Sequence, residues 1–183
     1  MAGMRSLFLF CAVVLLLAPN RAPAEVVDSA ANGFVVKITV NIKAAPDDVY
    51  RRIVHNVGDW WNSEHTFSHN AHNLSIEAKP MGCFCEKLPD NGGVRHMEVT
   101  YLAPGKALIL SGGLGPLNGI AAAGNMTFQL SAADGGTKLD VSYAVTGYLK
   151  AGMNTWAAPV DGVLGEQITR LKNYIEQGNP APK

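Results

Sequence analysis

Residues 34–42 alternate strictly, with Phe34, Val36, Ile38, Val40 and Ile42 on one side and Lys37, Thr39 and Asn41 on the other. That is the pattern of a half-buried strand. Behind it, Val49, Tyr50, Ile53 and Val54 form the apolar stripe of a short helix. Its entry, Ala45-Pro46-Asp47-Asp48, puts proline near the helix start and two acids in the first turn, where they suit the N-terminal dipole. The helix is expected to end near Asn56-Val57-Gly58, and Trp60-Trp61 begins a second short helix or turn. Alternation returns in 74–79, up to Pro80, and in 83–87 and 94–102, which read as a hairpin across Pro89-Asp90-Asn91-Gly92-Gly93. Segments 107–110, 126–131 and 139–145 complete about seven antiparallel strands, the last two joined at Asp134-Gly135-Gly136.

The period then changes. Val160, Leu164, Ile168, Leu171 and Ile175 recur every three or four residues, with Thr169, Arg170 and Lys172 opposite, which makes one long amphipathic helix. Pro159 falls in its first turn or at a kink, and Gly178 and Pro180 stop it. A meander of strands must bury its apolar face, and this helix, about 20 residues or roughly 30 Å, is the element long enough to cover it. The expected architecture is α+β: a curved antiparallel sheet of about seven strands wrapped around a C-terminal helix, with two short helices after the first strand. A strongly curved sheet gripping one helix tends to leave a cavity between them.

The N-terminus follows other rules. Arg5 precedes an apolar run from Leu7 to Leu17, and Ala22-Pro23-Ala24 gives the small-x-small pattern of a signal-peptidase site. The run is shorter than the roughly 18–20 residues of a membrane span. Residues 1–24 are therefore read as a cleaved signal peptide, with an uncleaved anchor as the alternative, and 25–183 as a single domain with its core in about 34–177. The protein is expected to be secreted, with the periplasm as its compartment, and not inserted in a membrane after cleavage. The leader holds two of the fifteen basic residues and none of the fifteen acidic ones, so the remainder carries about −2 with neutral histidines. No concentrated basic stripe points to nucleic acid. Cys11 leaves with the leader, and Cys83 and Cys85 remain. An oxidising compartment permits a bridge between them, but residues two apart in a strand sit at the edge of disulfide geometry, so two free thiols stay an equal alternative.

The order of motifs resembles a known family. The strand followed by Ala45-Pro46-Asp47-Asp48-Val49-Tyr50 is similar to the entry of the START-like (SRPBCC, helix-grip) superfamily. Asp59-Trp60-Trp61 resembles the aromatic pair of its polyketide-cyclase-like and chaperone-ATPase-activator-like branches. Tyr101–Leu110 (YLAPGKALIL) looks like their strand turn, and 160–171 fits their closing helix. The resemblance covers roughly 34–177 and implies a ligand pocket but no single activity. An exported chain would not meet the cytosolic ATPase that such activators serve.

Candidate chemistry lies in three places. The loop from Gly112 to Gly124 lacks the spacing of a P-loop or a dinucleotide fold, and reads as a mobile lid or a long surface connection. His65, His69 and His72 lie within eight residues, in a polar stretch without the rigid geometry that zinc needs. In the hairpin, a two- or four-residue turn would place Cys83, Cys85, His96 and Glu98 on one face and Phe84, Glu86, Arg95 and Met97 on the other. The first set can be a metal site, a nucleophile pair or cavity lining. Alternatively that face is outward, with Met97, Val99 and Tyr101 pointing in.

These readings converge on a binding or carrier domain that encloses an apolar, aromatic or amphipathic small molecule, with Trp60, Trp61, His96, Glu98, Phe128, Tyr143 and Trp156 as expected ligand contacts. No metal and no cofactor are expected. The first alternative is a cyclase- or hydrolase-like enzyme using His96 with Glu98 or Cys85; the second is a protein-interaction cofactor. Oligomeric state is left open. Intact-mass measurement of the exported protein is expected to give a chain that starts at Glu25, and a mass retaining residues 1–24 would overturn the cleaved form.

Overall fold

A computed structural model describes residues 24–181, so the expected signal peptide lies outside the described residues apart from Ala24. Eight strands form one antiparallel sheet: β1 (Ala24–Ala30), β2 (Gly33–Ile42), β3 (Leu74–Ile76), β4 (Cys83–Lys87), β5 (Gly93–Ala103), β6 (Ala107–Ser111), β7 (Ala121–Ala133) and β8 (Gly136–Tyr148). Their order is β1-β2-β8-β7-β6-β5-β4-β3. Helices α1 (Pro46–His55) and α2 (Val57–Trp60) connect β2 towards β3, and α3 (Ala157–Gln177) closes the chain. The helix-grip architecture read from the periodicity is the one observed. One strand was not foreseen: β1 pairs along β2, with Glu25 opposite Lys37, so the sheet starts some ten residues before Phe34.

Alternation becomes packing through register. Val36, Tyr143, Met126, Leu110 and Val99 lie side by side across β2, β8, β7, β6 and β5, and every one is buried. Beside them, Ile38, Val141, Phe128 and Leu108 make a second buried row. Such adjacent cross-strand pairs are the stabilising unit of a sheet. The rows face α3, which buries Leu164, Ile168 and Leu171. Pro159 is the third residue of that helix, where a missing N–H costs nothing. Gly178 ends it in the left-handed region (φ 71°), donating its N–H to the Tyr174 carbonyl.

Polar contacts tie α3 down at two levels. Near its C-terminus, the Lys172 ammonium donates to the Asn41 carbonyl (2.5 Å) and the Lys43 N–H donates to Glu176 (2.8 Å). Further up, Arg170 Nε donates to the Trp60 carbonyl (2.9 Å), and the Asn62 N–H donates to Gln167 Oε1 (2.7 Å). Among the described residues no helix is long and apolar enough to cross a membrane.

Leu171 is fully buried on the sheet-facing stripe. Leu171→Ala is expected to cost about 2–5 kcal/mol, from lost transfer energy plus the cavity left behind. Urea denaturation checks it, and a loss below about 1 kcal/mol would mean that the helix does not brace the sheet.

Candidate functional site

The hairpin of β4 and β5 decides the chemistry of the interior. Its loop holds five residues, 88–92, because Lys87 pairs with Gly93, and Asp90 and Asn91 both take left-handed backbone (φ 55° and 59°). Aspartate and asparagine tolerate that region better than most residues. An odd loop puts residues of like parity opposite each other, so Glu86 faces Val94 and Cys85 faces Arg95. The register then slips by one: Phe84 faces Met97 and Cys83 faces Glu98. His96 is the extra residue of this β-bulge, and a bulge re-aims the side chain it inserts. Both His96 and Met97 turn inward as a result.

The expected cluster of Cys83, Cys85, His96 and Glu98 is thereby corrected. His96 is inside, where Glu86 and Phe84 meet it, whereas Arg95 takes its place outside beside the two cysteines and Glu98. Glu98 binds Arg95 at 2.9 Å on the outer surface. Cys83 and Cys85 are joined in a disulfide with Cα atoms 5.4 Å apart, so neither Cys85 nor Glu98 reaches His96 within the interior.

His96 is 4% exposed, and its Nε2 lies 3.1 Å from Glu86 Oε2. The same carboxylate accepts the N–H groups of Ser68 (2.5 Å) and Phe67 (3.2 Å). On the other side of the ring, the Gly115 N–H donates to Nδ1 at 3.3 Å. A donor at Nδ1 and an acceptor at Nε2 assign the neutral imidazole with its proton on Nε2. Burial pushes His96 below its ordinary 6.5, and the hydrogen bond and charge of Glu86 offset this only in part. Burial alone would push Glu86 up, but hydrogen bonds from Ser68, Phe67 and His96 together hold it below 4.5. The pair is therefore a carboxylate with a neutral ring.

Next to the pair lies a mostly apolar cavity of about 230 Å³ between the sheet and the first half of α3. Trp61, Phe84, His96, Tyr143, Trp156 and Leu164 supply its walls. Of the contacts expected from sequence, Trp61, His96, Tyr143 and Trp156 line it, Trp60 and Phe128 are buried without lining it, and Glu98 is on the far side of the sheet. Three contributors were missed: Phe67, Phe84 and Glu86. Phe67 is half-exposed, lines the cavity and stacks on His96 with ring centres 6.0 Å apart. Phe84 packs on both His96 (5.3 Å) and Trp61 (5.7 Å). The alternation of Phe84 with Glu86 was visible, and it marks Glu86 as inward once Phe84 is taken as core.

The glycine-rich loop forms the remaining wall. Leu114, Gly115, Pro116 and Leu117 line the cavity, and Leu117 is buried. The Tyr143 hydroxyl donates to the Gly112 carbonyl and accepts the Leu114 N–H, both at 3.0 Å. Burial pushes this phenol up to about 12, partly offset by the Leu114 N–H. Gly112 permits a close crossing of the bulge, since a Cβ there would lie 2.6 Å from the His96 carbonyl oxygen. The three histidines of the polar stretch go separate ways: His65 meets Glu166 (3.2 Å) and His72 faces Asp59 (3.7 Å) on the surface, while His69 joins neither. Among the described residues no group of three or more histidine, cysteine, aspartate or glutamate side chains is placed to hold a metal ion.

Solved structures share this architecture. A protein of uncharacterized role from Rhizobium leguminosarum aligns over 85% of this chain and 97% of its own, at 18% identity and a TM-score of 0.57. CalU16 from Micromonospora echinospora aligns over 82% and 78%, at 18% identity and 0.53. The Aha1 dimer from Colwellia psychrerythraea aligns over 79% and 97%, at 17% identity and 0.54. At such identities the likeness shows the fold alone, a curved antiparallel sheet wrapped around a C-terminal helix. No family model and no curated protein matches the sequence.

The neutral ring has a consequence for stability. An unfolded histidine gains a proton as pH falls through about 6.5, whereas folded His96 resists it, so stability is present above that pH and declines below it. Glu86, held below 4.5 in the fold, adds a further loss once the pH drops under that value. Denaturant midpoints measured from pH 7.5 to 5 are expected to fall in the native protein and to fall less in His96→Gln. Parallel curves would show that His96 is not held neutral.

Proposed function

We propose that this chain is an exported binding or carrier domain that encloses a small apolar or aromatic molecule between its sheet and α3. The observation that carries this reading is the cavity itself. Its volume of about 230 Å³ exceeds the roughly 150 Å³ cavity that takes up benzene in an engineered protein. It falls below the roughly 300–1,000 Å³ of pockets for drug-sized ligands. A compound of one or two rings is the matching size. Two polar groups on the inner wall are already paired: Tyr143 with Gly112 and Leu114, His96 with Glu86 and Gly115. A ligand that brought its own polar group to that part of the wall would lose hydration and gain little, so shape and apolar contact are the basis of selection. The leader-like N-terminus supports export, and a similar structure, DynU16, described as a protein of the dynemicin biosynthetic locus, is compatible with a binding domain.

An enzymatic reading has one observation in its favour, the Glu86–His96 pair at the cavity wall. Its partner is Glu86, not Glu98 or Cys85. In the closed arrangement Nδ1 is occupied by the Gly115 N–H, so His96 becomes a base towards a ligand only when that bond gives way. A compound recovered from the protein and returned unchanged after prolonged incubation supports the carrier; chemical conversion supports the enzyme.

Native mass spectrometry of protein purified from its own host tests the binding reading directly, and a variant localises it. Val160 is half-buried and lines the cavity. Val160→Trp would fill part of the space, and is expected to weaken binding of the recovered compound by about tenfold or more, ~1.4 kcal/mol. Thermal unfolding should stay cooperative. Full affinity in a folded Val160→Trp protein would place the ligand elsewhere.

A further inference from the structure

The outer face of β4 carries a feature that the cavity does not use. Cys83 and Cys85 are bridged on one strand, two residues apart, and both are half-buried on the surface away from the core. A structural disulfide normally ties together parts of the chain that would separate on unfolding. This one closes a loop of three residues, for which the entropy removed from the unfolded chain is near its minimum. It also joins no two elements: β4 is already held by β3 on one side and β5 on the other. Its Cα atoms are 5.4 Å apart, whereas two strides of a strand span about 6.6 Å, so the bridge contracts the strand at Phe84.

The neighbours of the two sulfurs differ in charge. Arg95 lies directly opposite Cys85, and Glu98 directly opposite Cys83. A guanidinium favours a thiolate beside it, and a carboxylate disfavours one. Arg95 reaches this face because the five-residue loop sets it opposite Cys85. The Arg95–Glu98 bond and the bond from Asn118 Nδ2 to the Arg95 carbonyl (2.6 Å) hold that stretch in place.

We propose that Cys83–Cys85 is a redox-active site that exchanges with thiols from the outer face of the sheet, with Cys85 as the leaving sulfur and Arg95 stabilising its thiolate. The reductant is a small thiol or a dithiol. Its thiolate attacks Cys83 Sγ, forming a mixed disulfide while the Cys83–Cys85 bond breaks and its electron pair goes to Cys85. A second thiolate then attacks the reductant's sulfur in the mixed disulfide and releases Cys83. The net change is one protein disulfide reduced by two electrons and one reductant disulfide formed, with two protons supplied by the thiols. On the inner face Phe84, between the cysteines in sequence, contacts Trp61 at 5.7 Å, so opening the bridge is reported within the core.

The test uses the folded, oxidised protein without denaturant, and does not depend on any ligand. It is equilibrated with dithiothreitol at graded ratios of reduced to oxidised form, quenched, alkylated with N-ethylmaleimide and weighed intact. Two adducts are expected while circular dichroism still reports the native sheet, together with a change in tryptophan emission that tracks the adducts. Arg95→Gln is expected to slow reduction about 3–10-fold, since a poorer leaving group departs more slowly, and Arg95→Lys to restore most of the rate. A bridge that stays closed until the sheet unfolds overturns the proposal, as does a reduction rate that Arg95→Gln leaves unchanged. A Cys83→Ser/Cys85→Ser protein that fails to fold would show that the bridge is structural, and would overturn it as well.

Discussion

A buried carboxylate must be surrounded by donors, and the walls of this cavity are built around that requirement. The Glu86 side chain is fully shielded from solvent. Left without partners, such a charge would cost several kcal/mol. It is met by the backbone N–H groups of Phe67 and Ser68 and by His96 Nε2. His96 in turn accepts the Gly115 N–H. The segment that presents Phe67 at the cavity and the loop that presents Leu114 to Leu117 therefore both depend on one carboxylate, directly or through one ring. Remove Glu86, and both walls lose a tie at once, although the loop keeps its two bonds to Tyr143.

Desolvation and pairing pull in opposite directions at this site, and the observed balance says which wins for each group. For the carboxylate, several hydrogen bonds outweigh burial, and Glu86 stays ionised. For the imidazole, burial outweighs the neighbouring charge, and His96 stays neutral. Protonating the ring would add an attractive charge next to Glu86 but put a proton on Nδ1, where the Gly115 N–H already points. The neutral ring is thus the form compatible with a closed loop.

Much of the fold was legible because it follows from period. Phe34 to Ile42, Met126 to Leu130 and Leu139 to Val145 announce their buried faces by alternation alone, and the stripe from Val160 to Leu171 identifies the brace. Strand β1 was harder to see, since Ala24 to Ala30 carries few large apolar residues and adjoins a leader. The site was less legible for a specific reason. Side-chain direction in a hairpin depends on the parity of its loop, and a single inserted residue reverses it. A five-residue loop with a bulge at His96 leaves Phe84 opposite Met97 as a shorter turn would, yet exchanges Arg95 and His96 between the two faces. No residue type in Val94-Arg95-His96-Met97 marks which of them is the extra one. The cluster proposed around Cys85, His96 and Glu98 failed at that point, and Glu86 was overlooked with it.

The same bulge makes β4 and β5 a wall with two chemistries. Inside, Phe84, Glu86 and His96 face the cavity region; outside, Cys83, Cys85, Arg95 and Glu98 share the opposite surface. Had an even-numbered loop carried the Phe84–Met97 register through without the slip, the arginine would have met the interior carboxylate and the histidine the cysteines. A guanidinium in the core would carry a permanent charge that no change of protonation could remove. A histidine there can be neutral, which lets it hold the loop by accepting a hydrogen bond while its other nitrogen satisfies Glu86. An arginine can do the second but never the first, because it has donors and no acceptor. Closing the cavity with a backbone N–H requires an acceptor on the inner face of β5, and among Arg95 and His96 only the bulged residue provides one.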